Sequence, residues 1–424
     1  MNKAISVLVG SQWGDEGKGK WIDILAKEMD VVARYQGGNN AGHTLIVNGR
    51  KIVLHHLPSG ILYPDKVVAM AAGMVINPEK LCDELDNLNP TVEHDVYNQE
   101  TMWISARAHV ITPWHIHLDS TRENSTSVPI GTTKRGIGPT YASKADRTGL
   151  RMGDFVNPTR AAAWEKQMRS EISGFAEFQD NNRELWDSFY AVAAKLAAFV
   201  CDAEAKLRKA AKEGKSVLIE GAQATLLDLD HGTYPFVTSS GTTAGGACQS
   251  IGLPASSIGD IVGVAKAYLT RVGTGPFPTE LKDKTGATIA ERGHEFGATT
   301  GRPRRCGWLD LVALKYANDV NGFSSLAINK IDILSGFEEV KLCVAYRHGD
   351  EEITELPYDS EILEACEPIY KSFKGWQIDN TCKSWEGLPD SAKEYLTFIE
   401  DYCGTKVAYL GTGPERSEWV DCRR

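Results

Sequence analysis

The chain has 424 residues, 42% hydrophobic and 24% charged, with a net charge of -10 from 46 basic and 56 acidic side chains. A chain of this length and balance folds as a globular protein whose core needs no staples. Its acidic balance, with no dense run of Lys and Arg, argues against nucleic acid or anionic membrane as partners.

The apolar run Ala4 to Gly10 is too short for a signal peptide and passes straight into a polar glycine-rich loop. It reads as a buried parallel strand, with a helix following from about Lys18 to Lys27. Between them lies Gly14-Asp15-Glu16-Gly17-Lys18-Gly19-Lys20. Glycines there let backbone N–H groups approach a phosphate at a helix N-terminus. The loop departs from a Walker A motif, because Gln12 stands where a glycine belongs and Gly19 where a Ser or Thr would hold magnesium. Asp15 is the nearby oxygen that could take over the metal. A glycine-rich surface turn is the plain alternative.

Val31 to Gln36 reads as a second strand. It leads into Gly37-Gly38-Asn39-Asn40-Ala41-Gly42-His43-Thr44, where a histidine on a glycine loop can reach a ligand and exchange protons near neutrality. A lone histidine is more often structural. Asn48-Gly49 between Thr44–Val47 and Lys51–His55 signals a hairpin. Val67 to Ala72 is a further strand, and Asn77-Pro78 caps a helix through about Leu88. The stretch from Gly131 to Pro139 mixes hydroxyls, cations and glycines, as a phosphate site requires.

Arg183 to Gly214 carries one long helical pattern, and Ser216 to Ile219 a strand feeding Glu220-Gly221-Ala222-Gln223. Ile261 to Arg271 reads as a strand, followed by a Gly- and Pro-rich stretch. Within it, Thr299-Thr300-Gly301-Arg302-Pro303-Arg304-Arg305 groups three guanidinium ions suited to carboxylates, or else forms a solvated basic turn. Leu309 to Val320 is a predicted helix and Leu326 to Asn329 a buried strand. That strand ends in Asn329-Lys330-Ile331-Asp332, the N-K-x-D pattern with which many GTP-binding proteins select guanine. Its carboxylate accepts from the N1–H and N2 amino group, and adenine would leave it unpaired. A strand at Val340 to Tyr346, a helix near Ser391 to Tyr402 and a strand at Val407 to Leu410 complete the order, before the turn Gly411 to Arg416. No stretch reaches the roughly 18 apolar residues of a membrane span. The nine cysteines are scattered, odd in number and without a C-x-x-C pair, which predicts free thiols in the cytoplasm.

Alternating strands and helices predict an α/β fold: a large, mostly parallel twisted sheet with helices on both faces, P-loop-NTPase-like, plus a small hairpin. The expectation is one catalytic domain over 1–424 with a helical insertion at about 157–215.

W-G-D-E-G-K-G-K, N-A-G-H-T, G-T-Y-P-F-V-T-S-S and F-G-A-T-T-G-R occur in this order. With these motifs the chain resembles the adenylosuccinate synthetase family along nearly its whole length. The resemblance implies a Mg2+- and GTP-dependent ligase joining L-aspartate to C6 of IMP through a 6-phosphoryl intermediate, the committed step from IMP to AMP. It makes Asp15 the base at N1 and a metal ligand, with the Gly42 carbonyl as a second ligand. His43 assists phosphoryl transfer, with Lys18 and Gln223 also in the catalytic set. GTP would lie on Gly14, Glu16, Gly17, Gly19, Lys20, Gly42, Thr44 and Arg304. Lys330 and Asp332 hold the guanine, closed over by Gly411, Thr412 and Gly413. IMP would meet Asp15, Lys18, Asn40, Thr133, Gln223, Thr238 and Arg302, and an Arg147 supplied by the other subunit of a homodimer. Aspartate would sit on Thr299, Thr300, Arg302 and Arg304.

Departures from the family pattern are Asn39 where some relatives have His, Pro303 inside the arginine run, Ala224 for Gly and Gly411 for Ser. Asp15 separates the chain from a phage-type branch that lacks the carboxylate and makes a 2-aminopurine analogue. A regulatory GTP-binding switch would also use N-K-x-D, but Gly19 contradicts its magnesium motif. A silent scaffold is a third reading, against which Asp15, Lys18 and His43 stand.

Overall fold

Ile5–Gly10 (β1) is buried along its whole length. Ile5, Val7 and Val9 enter one core, while Leu8 enters another with Trp21, Ile22 and Leu25 of the first helix, Lys18–Ala26. A strand apolar on both faces belongs in the middle of a covered sheet. The computed structural model, which describes residues 5–47, 49–125, 131–296 and 303–424, places it there.

The other strands of this sheet are Val31–Arg34 (β2), Val67–Met70 (β3), Met102–Ser105 (β4), Val200–Cys201 (β5), Val217–Glu220 (β6), Asp260–Lys266 (β7), Ser325–Asn329 (β8), Val407–Gly411 (β9) and Trp419–Asp421 (β10). Their order is β10-β9-β8-β7-β1-β6-β2-β3-β4-β5, parallel except for the β9–β10 pair. The predicted large parallel sheet is present. Its loops after β1, β2, β6, β8 and β9 share the carboxyl edge, where α/β sheets bind ligands.

The predicted hairpin forms from His43–Val47 and Arg50–Leu54, and Asn77 caps the helix Pro78–Leu88 through Lys80 N. Three elements differ from the sequence expectation. The long helix over Arg183 to Gly214 is broken: Arg183–Ala191 and Ala193–Leu196 are separate helices, then β5 joins the sheet edge. Asp202 caps a new helix, Ala203–Lys212, by accepting from Ala205 N. The strand read over Ile261 to Arg271 divides at Ala267, whose N–H is taken by Asn329 O. Tyr268–Arg271 then pairs antiparallel with Arg305–Asp310, starting a second sheet of five strands that sequence patterning did not reveal. The helix expected from Leu309 begins at Leu311, because Asp310 ends its strand as the cap of Leu311–Asn321.

All nine cysteines are free thiols. Among the described residues no helix is long and apolar enough to cross a membrane.

Candidate active site

Six non-glycine residues among those described have positive φ: Asp15, Lys134, Arg147, Gln223, His294 and Lys330. Side chains rarely adopt that conformation, and it collects where a fold fixes functional groups. Four of the six, Asp15, Arg147, Gln223 and Lys330, are candidates from the sequence.

The loop after β1 wraps a carboxylate. Glu16, fully buried, accepts from Gln12 N at 3.1 Å and Gly14 N at 2.9 Å, and from Lys18 Nζ at 2.6 Å. The amides and ammonium that a phosphate would use are thus held ready by an internal anion. Gly17 carries φ 84 into the helix, where Gly19 touches the next loop. A Cβ at Gly19 would lie 3.2 Å from His43 Cβ and 3.3 Å from Thr44 O. The residue that breaks the Walker pattern is therefore what lets the histidine loop, with Gly42 and Thr44, pack on the phosphate loop.

His43 Nδ1 bonds Glu220 Oε1, whose carboxylate also accepts from Ser59 N at 2.7 Å. A carboxylate only accepts, so Nδ1 carries the proton. Burial pulls the His43 pKa down, and Glu220 opposes that by favouring the imidazolium. Sequence reasoning gave Glu220 no role. Its signal was a charged residue closing an apolar strand, where a buried carboxylate needs a partner. Beyond it, Gln223 Oε1 accepts from Gln36 Nε2 at 3.3 Å. Asn40 Oδ1 accepts from Gly38 N at 3.0 Å. Both side chains crowd Gly37, where a Cβ would stand 3.0 Å from Gln223 Oε1 and 3.5 Å from Asn40 Oδ1.

On the other side of β1, Asn329 Nδ2 donates to Glu16 O at 2.6 Å and more weakly to Gly17 O at 3.3 Å. The first residue of N-K-x-D thus braces the phosphate loop. A Cβ at Gly411 would come within 2.5 Å of Asn329 Oδ1, so glycine at that departure fits Asn329 closely. Lys20 Nζ donates to Gly413 O at 2.7 Å and Glu418 O at 2.6 Å, and burial pulls it down to about 8. In this state Lys20 holds the turn after β9. Asp332 Oδ1 and Thr412 Oγ1 are buried and have no hydrogen-bond partner among the described residues, and burial raises the Asp332 carboxyl. Such an oxygen awaits a donor.

Lys330 Nζ reaches Glu295 Oε1 at 2.7 Å, and Arg304 joins Glu295 at 2.6 Å to Asp15 Oδ2 at 2.7 Å. Thr133 is half-buried beside Arg135, which donates to Asn39 O. Thr238 N donates to Leu227 O, and Arg147 is exposed at the end of the helix Ile137–Asp146. Thr299, Thr300 and Arg302 lie outside the described residues.

The loop after β1, the imidazole held by Glu220 and the Asp332 carboxyl thus lie along the carboxyl edge of one sheet, and the chain that builds them is similar to known proteins. The family model described as adenylosuccinate synthetase matches residues 7–420. The chain is 47% identical over 424 residues to the adenylosuccinate synthetase of Heliobacterium modesticaldum and 46% to that of Thermodesulfovibrio yellowstonii, with 98% of each chain covered. A solved structure of the fully ligated adenylosuccinate synthetase from Plasmodium falciparum superposes with a TM-score of 0.93 at 38% identity, covering 99% of this chain and 100% of that one. A cyanophage S-2L succinoaminodeoxyadenylate synthetase shares the fold at 20% identity and a TM-score of 0.64. Agreement of sequence and fold over nearly the full length makes this chain a member of the adenylosuccinate synthetase family.

Proposed function

We propose that the chain joins L-aspartate to IMP with GTP hydrolysis, forming adenylosuccinate. The observation that supports this reading is the Asn329 side chain on the Glu16 and Gly17 carbonyls, a direct contact between the N-K-x-D segment and the loop after β1. Lys18 and the loop amides exchange Glu16 for the GTP phosphates. Asp332 accepts hydrogen bonds from the guanine N1–H and N2 amino group, and Thr412 and Gly413 close that end. Asp15 removes the N1 proton of IMP, raising electron density at O6 for attack on the γ-phosphorus. With Nδ1 committed to Glu220, His43 donates from Nε2 as the imidazolium toward the bridging oxygen. The phosphorylated O6 then leaves as the aspartate amine adds to C6.

The donor set fits Mg2+. The Asp15 carboxylate, a third exposed, and the Gly42 carbonyl are hard oxygens, and magnesium takes one or two carboxylates beside substrate phosphates. When bound it neutralises phosphate charge. Gln223, Asn40, Thr133 and Thr238 hold IMP, and Thr299, Thr300, Arg302 and Arg304 hold aspartate. The chain acts as one catalytic domain, with the helices of about 157–215 as scaffold or dimer surface, and its free thiols fit the cytoplasm.

Protein supplied with GTP, Mg2+, aspartate and IMP is expected to form adenylosuccinate in a spectroscopic assay, and far more slowly with ATP. Phosphate release independent of IMP would instead favour the regulatory switch. Asp332→Asn is expected to raise the KM for GTP by roughly a hundredfold, since a donor replaces one acceptor, and the KM for aspartate much less. Equal changes in both would refute the guanine assignment. Arg147, exposed at its helix end, reaches the IMP phosphate of the partner subunit in a homodimer. Inactive Arg147→Leu mixed with inactive Asp15→Asn should therefore regain activity through hybrid dimers. Proven subunit exchange without recovery would refute the shared site.

A further inference from the structure

Glu295 has a position that no role above explains. It is 1% exposed, yet its carboxylate serves four donors. Oε1 accepts from Lys330 Nζ at 2.7 Å, from Lys266 Nζ at 3.3 Å and from Tyr268 O–H, while Oε2 accepts from Arg304 Nη1 at 2.6 Å. The Glu295 carbonyl also takes Arg304 N at 2.9 Å, so side chain and backbone hold the same residue. Arg304 then passes its Nε to Asp15 at 2.7 Å. Through this single carboxylate, the lysine of N-K-x-D and the arginine beside the catalytic carboxylate are fixed to each other.

We infer that Glu295 is the positioning residue that sets Lys330 and Arg304 in register, so that guanine nucleotide and aspartate are held at a fixed separation on either side of Asp15. This rests on the assignment of Lys330 to GTP, and of Arg304 to aspartate as well as GTP, made above. Three cations converge on Glu295, and without it they would repel one another and move apart. Burial would push the Glu295 carboxyl up, but Lys266, Lys330 and Arg304 outweigh it and keep it ionised. The rival account makes Glu295 a mere counter-ion for Lys266, which is wholly buried and is assigned to no substrate above.

The test uses the purified full chain. Glu295→Gln is expected to raise the KM for GTP and the KM for aspartate each by roughly tenfold or more, the scale of a lost charge-assisted hydrogen bond, with the KM for IMP within about twofold. The paired variant Glu295→Gln/Lys266→Met restores charge balance in the core and is expected to keep both raised values. Return of both to the parental level would show that Glu295 only neutralises Lys266, and would overturn the inference. So would unchanged constants in folded Glu295→Gln, equal rises for all three substrates, or loss of folding in both variants. Lys330→Met and Arg304→Leu separate the two layers. If they leave the KM for GTP and for aspartate unmoved, the underlying assignment fails. If they raise them while Glu295→Gln does not, the role of Glu295 alone fails.

Discussion

Purified Asp15→Asn is expected to fold like the parent and to lose adenylosuccinate formation by about a thousandfold or more. A positioned general base contributes on the order of a hundredfold to ten-thousandfold, and the amide also weakens magnesium. The fold should survive, because the Asp15 side chain is a third exposed and touches Arg304 rather than the core. Arg304 keeps its two bonds to Glu295 after the change. Single-turnover product formation beside a circular-dichroism spectrum measures both halves. Turnover close to the parent in folded protein would remove Asp15 from catalysis.

His43→Asn is expected to reduce phosphoryl transfer by a similar factor, and Glu220→Gln by roughly tenfold to a hundredfold. Glutamine can still accept from Nδ1–H but no longer stabilises the imidazolium by charge. Because Glu220 acts through His43, the double variant should be no slower than His43→Asn alone. Glu220 also bonds Ser59 N and Oγ, so some loss of thermal stability accompanies the change. Multiplying effects in the double variant would mean that Glu220 acts independently of the imidazole.

Local signals served well where one segment decides its own shape. Asn77-Pro78 announced a cap, Asn48-Gly49 a hairpin, and apolar runs ending in polar loops gave six strands of the large sheet close to their bounds. They failed where distant partners decide. Nothing in Val200-Cys201 separates two residues of helical pattern from an edge strand beside β4. Asp310 reads as helix until its cap geometry is known. The same limit governs the site: the loops could be named from their chemistry, but Glu220 beside His43 and Glu295 beneath Lys330 are pairings across 177 and 35 positions. A sequence shows a carboxylate's presence, not its neighbour.

Lys20 and Gly413 are joined across 393 positions, and the same span separates Asp23 from Arg416, whose guanidinium grips it at 2.6 and 2.8 Å. The helix proposed to receive phosphates is therefore buttressed by residues made late in synthesis. In a nascent chain β1 must wait for β6 and β7 before it has sheet partners, and Lys20 and Asp23 wait longer still, for the turn after β9. Nucleotide affinity should accordingly arise in one late step of synthesis, and the growing polypeptide passes most of its time on the ribosome without capturing cellular GTP.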